Sequence, residues 1–177
     1  MLEDEKTGIL TIDSDDDIFP RRLKQMQHDK PKRIYVLGSV PDSDSRAVAI
    51  VGARGCTPYG RDMARMFGFR LSQAGVDVIS GMALGIDGWA HQGALEAGGR
   101  TYAVLGSGVD MCYPRSHRKL YHSIIDRGGV ISEYKPGTEA FAHNFPERNR
   151  IVSALSDAVL VVEAKIKSGS LITADIA

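Results

Sequence analysis

Three arginines and one phenylalanine in this sequence lie where their side chains could bind phosphates and bases. Arg54 comes shortly after the apolar run 47–51, and a guanidinium at such a place can hold a phosphate by two parallel hydrogen bonds. Phe145, Arg148 and Arg150 lie in one hexapeptide, Phe-Pro-Glu-Arg-Asn-Arg, at the predicted start of a helix. The positive end of the helix dipole disfavours each arginine there by ~0.3–1 kcal/mol, so we expect a nearby anion to compensate them.

Each of these side chains has two possible roles, one in the structure of the protein itself and one in binding a ligand. Arg54 either binds phosphate or pairs with a neighbouring carboxylate. The Phe145 ring either packs over the start of the helix or offers a flat face to a base. Arg148 and Arg150 are compensated either by bound phosphate or by an internal carboxylate, for which the candidates are Glu147, Asp157 and Glu163.

Glycine-rich turns indicate which elements position these side chains. Of the 19 glycines, all but two lie at or after Gly52, several of them directly after short runs rich in β-branched residues. Such runs are typical of strands buried on both faces, and here they alternate with helical patterns. The predicted fold class is therefore α/β, a Rossmann-like, doubly wound, mainly parallel sheet with helices on both faces. The predicted strands are 47–51, 76–80, 101–105, 130–133 and 158–162, and the predicted helices are 58–74, 87–97, 116–127, one that begins at 144 and one that begins at 168.

The sequence divides into two parts with different patterns. Residues 1–46 are predicted to be a lead segment that packs on the core, with a short helix, an additional strand at 34–37 and a solvated acidic loop at 13–17. Residues 47–177 are predicted to form the Rossmann-like domain. Because the sequence ends inside the last predicted helix, we expect this domain to be truncated at its C-terminus.

Composition and charge exclude several classes of protein. The 22 basic and 22 acidic residues cancel, so any anion site must be local rather than a wholly basic surface. No apolar run approaches the ~18 residues of a membrane helix, and the N-terminus carries no targeting signature. Cys56 and Cys112 show no metal-ligand spacing. The sequence therefore predicts a soluble, cytoplasmic protein without a metal site.

The turns do not have the pattern of a dinucleotide site. The first one reads Gly52-Ala-Arg-Gly55, and the next strand ends at Ser80-Gly81 without the acidic residue that binds a ribose. Asp87 begins a helix, where its carboxylate competes with phosphate for the same N–H groups, so we interpret it as structural. Ser168-Gly-Ser170 offers hydroxyl and N–H groups at a further helix start, or is a plain N-cap.

A series of short blocks occurs in order along the chain, namely 50–54, 59–60, 80–87, 90–91, 98–101, 113–114, 132–134, 145–150, 161–164 and 168–174. Together these blocks resemble the DNA-processing protein A family, also called DprA or Smf, from about Asp13 to the end of the sequence. The resemblance implies a bacterial DNA-binding protein that protects incoming single-stranded DNA and loads the RecA recombinase onto it during natural transformation and recombination. It also implies a homodimer with no catalytic residues and no cofactor.

The resemblance assigns roles to individual residues of this sequence. Arg54 corresponds to the pocket arginine that grips phosphate, and Phe145 to the aromatic residue beside the DNA. Arg148, Asn149 and Arg150 correspond to the signature at the pocket wall. The remaining DNA- or phosphate-binding positions form the rim, namely Gly52, Ser80, Gly81, Gly85, Ile86, Gly106, Ser107, Ser168, Gly169 and Ser170.

The sequence departs from the family pattern at one pocket position. Some members have a lysine three positions before the pocket phenylalanine, where this chain has Ala142. We therefore expect DNA affinity either to be weaker or to be supplied by Lys135 or Arg115.

Two alternatives share the same fold. One is an enzyme of a related Rossmann-like family that cleaves the N-glycosidic bond of nucleotides, but the glutamate of its P-G-G-x-G-T-x-x-E turn is absent from 167–174. Glu133 and Glu163 each end a strand, and we expect both to pair with an arginine instead. The other alternative is a nucleotide sensor that does not bind DNA.

Overall fold

The computed structural model of the protein describes residues 2–4 and 7–164, which form an eight-stranded sheet covered by helices. No helix in these ranges is long and apolar enough to span a membrane. The strands are β1 (Leu2–Asp4), β2 (Ile9–Asp13), β3 (Arg33–Gly38), β4 (Ala47–Val51), β5 (Asp77–Ser80), β6 (Thr101–Val104), β7 (Gly129–Ser132) and β8 (Ala158–Val161). The helices are α1 (Arg21–Lys24), α2 (Pro58–Gln73), α3 (Ile86–Glu96), a short 3-10 helix (Arg115–His117), α4 (Arg118–Arg127) and α5 (Asn144–Ala154).

The parallel part of the sheet has the strand order β7-β6-β5-β4-β8. Helices α2, α3 and α4 carry the chain stepwise from β4 to β7, and α5 carries it back across the sheet to β8. The strand order therefore reverses between β4 and β8, where Val51 is aligned with Val161. At such a point a crevice opens outside the carboxyl ends of the strands. The predicted Rossmann-like, mainly parallel fold is confirmed.

Helices cover both faces of the sheet because successive strand residues point to opposite sides. In β4, Ala49 belongs to a buried cluster with Leu23 of α1 and Ile151 of α5. Its neighbour Ile50 belongs to a different cluster, together with Ala90 of α3. The strands β5, β6 and β7 are buried along their whole length, as their uninterrupted apolar runs predict.

The lead segment extends the same sheet on one side. Strand β3 runs antiparallel to β7, and β2 and β1 follow as a further antiparallel pair. The predicted additional strand and short helix correspond to β3 and α1, whereas the pair β1–β2 was not predicted. The division of the chain at residue 46 stays a prediction.

The acidic stretch at 13–17 is only in part a loop. Asp13 is the last residue of β2, and its carboxylate pairs with the Arg33 guanidinium at 2.7 Å. Residues 14–17 form the turns that follow the strand. The predicted solvated loop is therefore correct for 14–17 and wrong for Asp13.

Candidate nucleic-acid interface

The loop that carries Arg54 connects β4 to α2 and is held to the end of β8 at two points. The backbone N–H of Ala53 donates to the carbonyl oxygen of Glu163 at 2.7 Å. The backbone N–H of Thr57 donates to the two carboxylate oxygens of Glu163 at 3.0 and 3.2 Å, and the Thr57 hydroxyl donates to one of them at 2.8 Å. The loop is therefore fixed on both sides of Arg54, at the point where the strand order reverses.

Arg54, Phe145 and Tyr113 form an exposed group of one cation and two rings, which we call the cation–aromatic surface. The Arg54 Cζ atom lies 5.1 Å from the centroid of the half-buried Phe145 ring. The Tyr113 ring, which is 46% exposed, lies with its centroid 5.6 Å from that of Phe145. The exposed Arg54 makes no ion pair with any residue in the described part of the chain. Its guanidinium can therefore accept an anionic ligand.

Arg148 lies beneath the Phe145 ring and is only 4% exposed. Its guanidinium donates to the backbone carbonyl oxygens of Gly81, at 2.9 Å, and Val104. Burial lowers the pKa of Arg148 to about 10, although the nearby Asp87 carboxylate opposes this shift. Arg148 thus ties the ends of β5 and β6 together, and its guanidinium is not open to a ligand.

The carboxylate of Asp87 is directed at backbone N–H groups at the crevice. It is 6% exposed and accepts a hydrogen bond from the N–H group of Gly81 at 3.1 Å. The backbone N–H groups of Ala83 and Gly52 also favour its charged form. Burial raises the pKa of Asp87, against the influence of Arg148 and these three N–H groups. Asp87 thus has a structural role, since its carboxylate holds the turn after β5 and its charge favours the protonated form of the buried Arg148.

The start of α5 positions Phe145. The side chain of Asn144, which is 2% exposed, donates to the carbonyl oxygen of Gly106 at 2.8 Å. The Phe145 ring then packs on Gly106, where an added Cβ would lie 3.1 Å from the ring. A side chain at 106 would therefore shift the ring by a few tenths of an ångström.

The Arg150 guanidinium is bound by an internal carboxylate and is not available to a ligand. Its guanidinium makes two hydrogen bonds of 2.6 Å to the Glu133 carboxylate, and its Nε donates to the Asp29 carbonyl oxygen at 3.0 Å. These contacts raise the pKa of Arg150. Arg150 is thus compensated by Glu133, whereas Arg148 donates to backbone carbonyl oxygens and is favoured in its charged form by Asp87. The three carboxylates expected from the sequence were the wrong ones.

The two strand-ending glutamates differ in their partners. The expected arginine pair is confirmed for Glu133. Glu163 instead receives its described hydrogen bonds from Thr57, so the expectation of an arginine partner was wrong there. Neither carboxylate projects free into the crevice. Within the described ranges, no three His, Cys, Asp or Glu side chains are grouped so as to hold a metal ion.

The other predicted rim residues lie at the crevice, but their side chains have internal roles. The Ser80 hydroxyl is buried and donates to the Ile50 carbonyl oxygen at 2.5 Å, and the Ser107 hydroxyl donates to that of Met111 at 3.1 Å. Gly85 has a φ of 78°, in the region that favours glycine, and begins α3. Gly52 and Ile86 are buried against each other. Asn149 accepts from Arg148 Nε at 3.2 Å, and Ser168, Gly169 and Ser170 lie outside the described residues.

Sequence reasoning did not single out Tyr113 as a site residue. The signal available was a large aromatic residue in a polar loop, next to a proline and outside any inward-facing periodicity. Its ring reaches Phe145 across the loop that follows β6, a contact that no local pattern specifies.

The fold and this surface define the class: a Rossmann-like α/β domain with an exposed cation–aromatic surface at the carboxyl edge of its sheet. The chain belongs to the DNA recombination-mediator protein A family, whose model matches residues 10–177. The resemblance seen in the sequence is thereby confirmed.

Individual relatives agree with this assignment. The chain is 42% identical to Protein Smf of Escherichia coli (strain K12) over 164 residues, which cover 92% of this chain and 44% of that protein. It superposes on the crystal structure of DNA processing protein A from Streptococcus pneumoniae with a TM-score of 0.87 and 36% identity, over 96% of this chain and 59% of the other. A structure that describes the single-stranded DNA binding mode of DNA processing protein A from Helicobacter pylori gives a TM-score of 0.83 and 31% identity, over 96% and 75% of the two chains. The chain spans about half the length of the curated relatives it matches.

Proposed function

We propose that this protein binds single-stranded DNA on the cation–aromatic surface. The observation that carries the proposal is the exposed Arg54 guanidinium, 5.1 Å from the centre of the Phe145 ring and without an ion-pair partner in the described part of the chain. A guanidinium can bind a backbone phosphate while an adjacent ring stacks on a base. In a duplex the bases are paired and stacked on each other, so a surface that uses both groups favours single strands.

Two exposed basic residues support a path for the strand beyond this surface. Arg115 follows Tyr113 by two positions, and Lys135 lies in the loop after β7. Both are exposed, and neither makes a salt bridge within the described residues. We propose that they supply the positive charge that some family members place at the position of Ala142.

The remaining parts of the proposal rest on the family. The H. pylori relative has a single-stranded DNA binding mode, and the family model is that of a recombination mediator. We propose that this protein likewise acts in the bacterial cytoplasm as a dimer that protects incoming single-stranded DNA and loads RecA onto it during natural transformation. Because the chain spans only about half of its relatives, these activities concern the whole protein.

We propose a binding role rather than catalysis. The hydrolase alternative needs a carboxylate that is free to assist bond cleavage. Glu133 is held by two hydrogen bonds from Arg150, and Glu163 by three from Thr57. Both carboxylates therefore have structural partners in place of a substrate.

The test compares two arginines that each lie beside an aromatic ring. Arg54→Ala should weaken binding to a fluorescent oligo-dT strand by about 10- to 100-fold, since hydrogen bonds to a charged group contribute ~1.5–3 kcal/mol. Arg61→Ala is the matched control, because the exposed Arg61 lies 5.8 Å from the Trp89 ring but pairs with Asp62. Fluorescence anisotropy on both variants measures the difference.

The same experiment, repeated at several salt concentrations, gives a second measure of the phosphate contacts. About three phosphate contacts predict a slope of about −2 for log affinity against log salt, and loss of one contact reduces it by about 0.7. If Arg54→Ala and Arg61→Ala bind with equal affinity and equal slope, the proposed surface is in the wrong place.

A further inference from the structure

Two helix N-termini at the point where the strand order reverses each hold a carboxylate of the chain itself. At α2 the Glu163 carboxylate accepts the Thr57 N–H at 3.0 and 3.2 Å. Beside the start of α3 the Asp87 carboxylate accepts the N–H group of Gly81 at 3.1 Å, and the N–H groups of Ala83 and Gly52 also favour its charge. The two carboxylates come from different parts of the chain, Glu163 from the segment after β8 and Asp87 from α3, and both are directed at backbone donors.

In doubly wound folds these donors are the ones that bind the phosphate of a nucleotide, because N–H groups and the helix dipole both favour an anion there. In this protein the donors are satisfied internally. A ligand phosphate that entered would have to displace a carboxylate or lie beside it at the cost of like-charge repulsion. Displacement of Asp87 would in addition leave the guanidinium of Arg148 buried without its counter-charge.

Close packing around each carboxylate leaves it little freedom to move aside. An added Cβ on Gly60 would lie 2.1 Å from the Glu163 Oε2 atom. An added Cβ on Gly81 would lie 2.4 Å from the Arg148 guanidinium, which keeps that charge next to Asp87. Gly60 thus lets the Glu163 carboxylate lie directly on the backbone, and Gly81 does the same for the Arg148 guanidinium.

We propose that Asp87 and Glu163 determine the specificity of the site: they act as internal substitutes for a ligand phosphate, so that the protein binds phosphates within a strand and rejects terminal phosphates and free nucleotides. This inference rests on the proposed binding of single-stranded DNA. A phosphate inside a DNA strand can be bound by the exposed Arg54 guanidinium alone, while the DNA continues over the surface in both directions. A terminal phosphate carries more charge, and at the N–H groups of Thr57 and Gly81 it meets the carboxylates of Glu163 and Asp87.

The first experiment measures anion binding without DNA. Thermal unfolding is followed in inorganic phosphate and in sodium chloride of equal ionic strength, for the unaltered protein, Glu163→Ala, Asp87→Ala and the control Asp62→Ala. Asp62 is an exposed carboxylate on α2 that pairs with Arg61. At phosphate concentrations about tenfold above Kd, Glu163→Ala and Asp87→Ala should gain about 3–6 °C more in Tm than the unaltered protein and Asp62→Ala, whose shift reflects only the general stabilisation of folded proteins by phosphate.

The second experiment uses the full chain and oligo-dT with and without a 5′-phosphate. The unaltered protein should bind both strands equally and should not release them to excess dTMP. Glu163→Ala should prefer the 5′-phosphorylated strand by about 2- to 5-fold, the effect of an anion at an exposed helix N-terminus.

The outcomes separate the inference from the proposed function. Stabilisation of the unaltered protein by phosphate as large as that of the two variants, its preference for 5′-phosphorylated strands, or competition by dTMP would each overturn the inference. The inference would also be overturned if Glu163→Ala or Asp87→Ala folds but shows no additional rise in Tm in phosphate. If one variant does not fold, the other and the unaltered protein still decide the matter. A protein that binds no DNA contradicts the proposed function, while the thermal experiment still tests the internal anions.

Discussion

Replacement of Phe145 separates a stacking surface from a packing residue, because the ring is half-buried and has contacts of both kinds. It lies between the exposed Arg54 and the buried Arg148, whose Cζ atoms are 5.1 and 5.9 Å from its centroid, and beside Tyr113. Deletion of a fully buried phenylalanine ring costs ~3–5 kcal/mol of stability, so Phe145→Ala at a half-buried site should cost about 2 kcal/mol. Loss of one stacked base should reduce DNA binding by a further ~1–3 kcal/mol, or about 5- to 150-fold.

Two milder changes at the same position distinguish volume from the flat face of the ring. Phe145→Leu keeps most of the apolar volume, so it should lose under about 1.5 kcal/mol of stability. It should nevertheless lose nearly as much binding as alanine, because leucine cannot stack on a base. Phe145→Tyr keeps the ring and should keep both properties.

The assay combines urea unfolding, followed by circular dichroism, with anisotropy of labelled oligo-dT under conditions in which each variant is folded. Phe141→Leu is the control, since it alters an exposed ring that stacks on His143 instead. If Phe145→Leu binds DNA as tightly as the unaltered protein, base stacking is the wrong explanation and the ring serves only to pack.

The other predictions concern residues that support the surface from below. Arg148→Ala leaves Asp87 as an uncompensated buried charge and should lower the free energy of unfolding by about 3–5 kcal/mol in urea; unchanged stability with lost DNA binding would instead make Arg148 a ligand-contacting residue. Glu133→Gln weakens the pair with the partly exposed Arg150 and should cost about 1–2 kcal/mol in the same assay while affinity per folded molecule stays constant. Gly85→Ala should cost about 1–3 kcal/mol and weaken DNA binding, because φ is 78° and the new Cβ would lie 2.2 Å from a carbonyl oxygen of the β4–α2 loop; wild-type affinity and stability would refute this.

The parallel half of the fold could be predicted because its signals are local. Each β-branched run followed by glycine specifies a strand and the turn after it, and every predicted strand from 47 onward is present. The pair β1–β2 was missed because β2 takes its place by pairing with β3, and β1 by pairing with β2. Contacts between distant segments, rather than propensity, decide such edge strands.

The sequence predicted where the candidate site lies but not which of its side chains are buried. Arg54 and Arg148 are both arginines near the same crevice. Arg54 is exposed, whereas Arg148 is buried, with only 4% of its surface exposed. What separates them is the set of partners of Arg148, namely the carbonyl oxygens of Gly81 and Val104 and the nearby charge of the buried Asp87. Asn144 shows the same limitation. Its position at the start of a helix suggests a cap, whereas the structure has His143 at the N-cap and uses Asn144 to hold Gly106.

The attachment of the Arg54 loop to Glu163 has a consequence for the order in which the protein becomes functional during synthesis. Thr57 and Glu163 are 106 residues apart in the sequence. A ribosome that adds ~5–20 residues per second needs about 5–20 s to make that interval, and for this time the emerging loop lacks its attachment to Glu163. The entropy of closing so long a segment also delays the contact until the intervening strands are paired. The Arg54 loop therefore reaches its final position only after β8 has joined the parallel sheet.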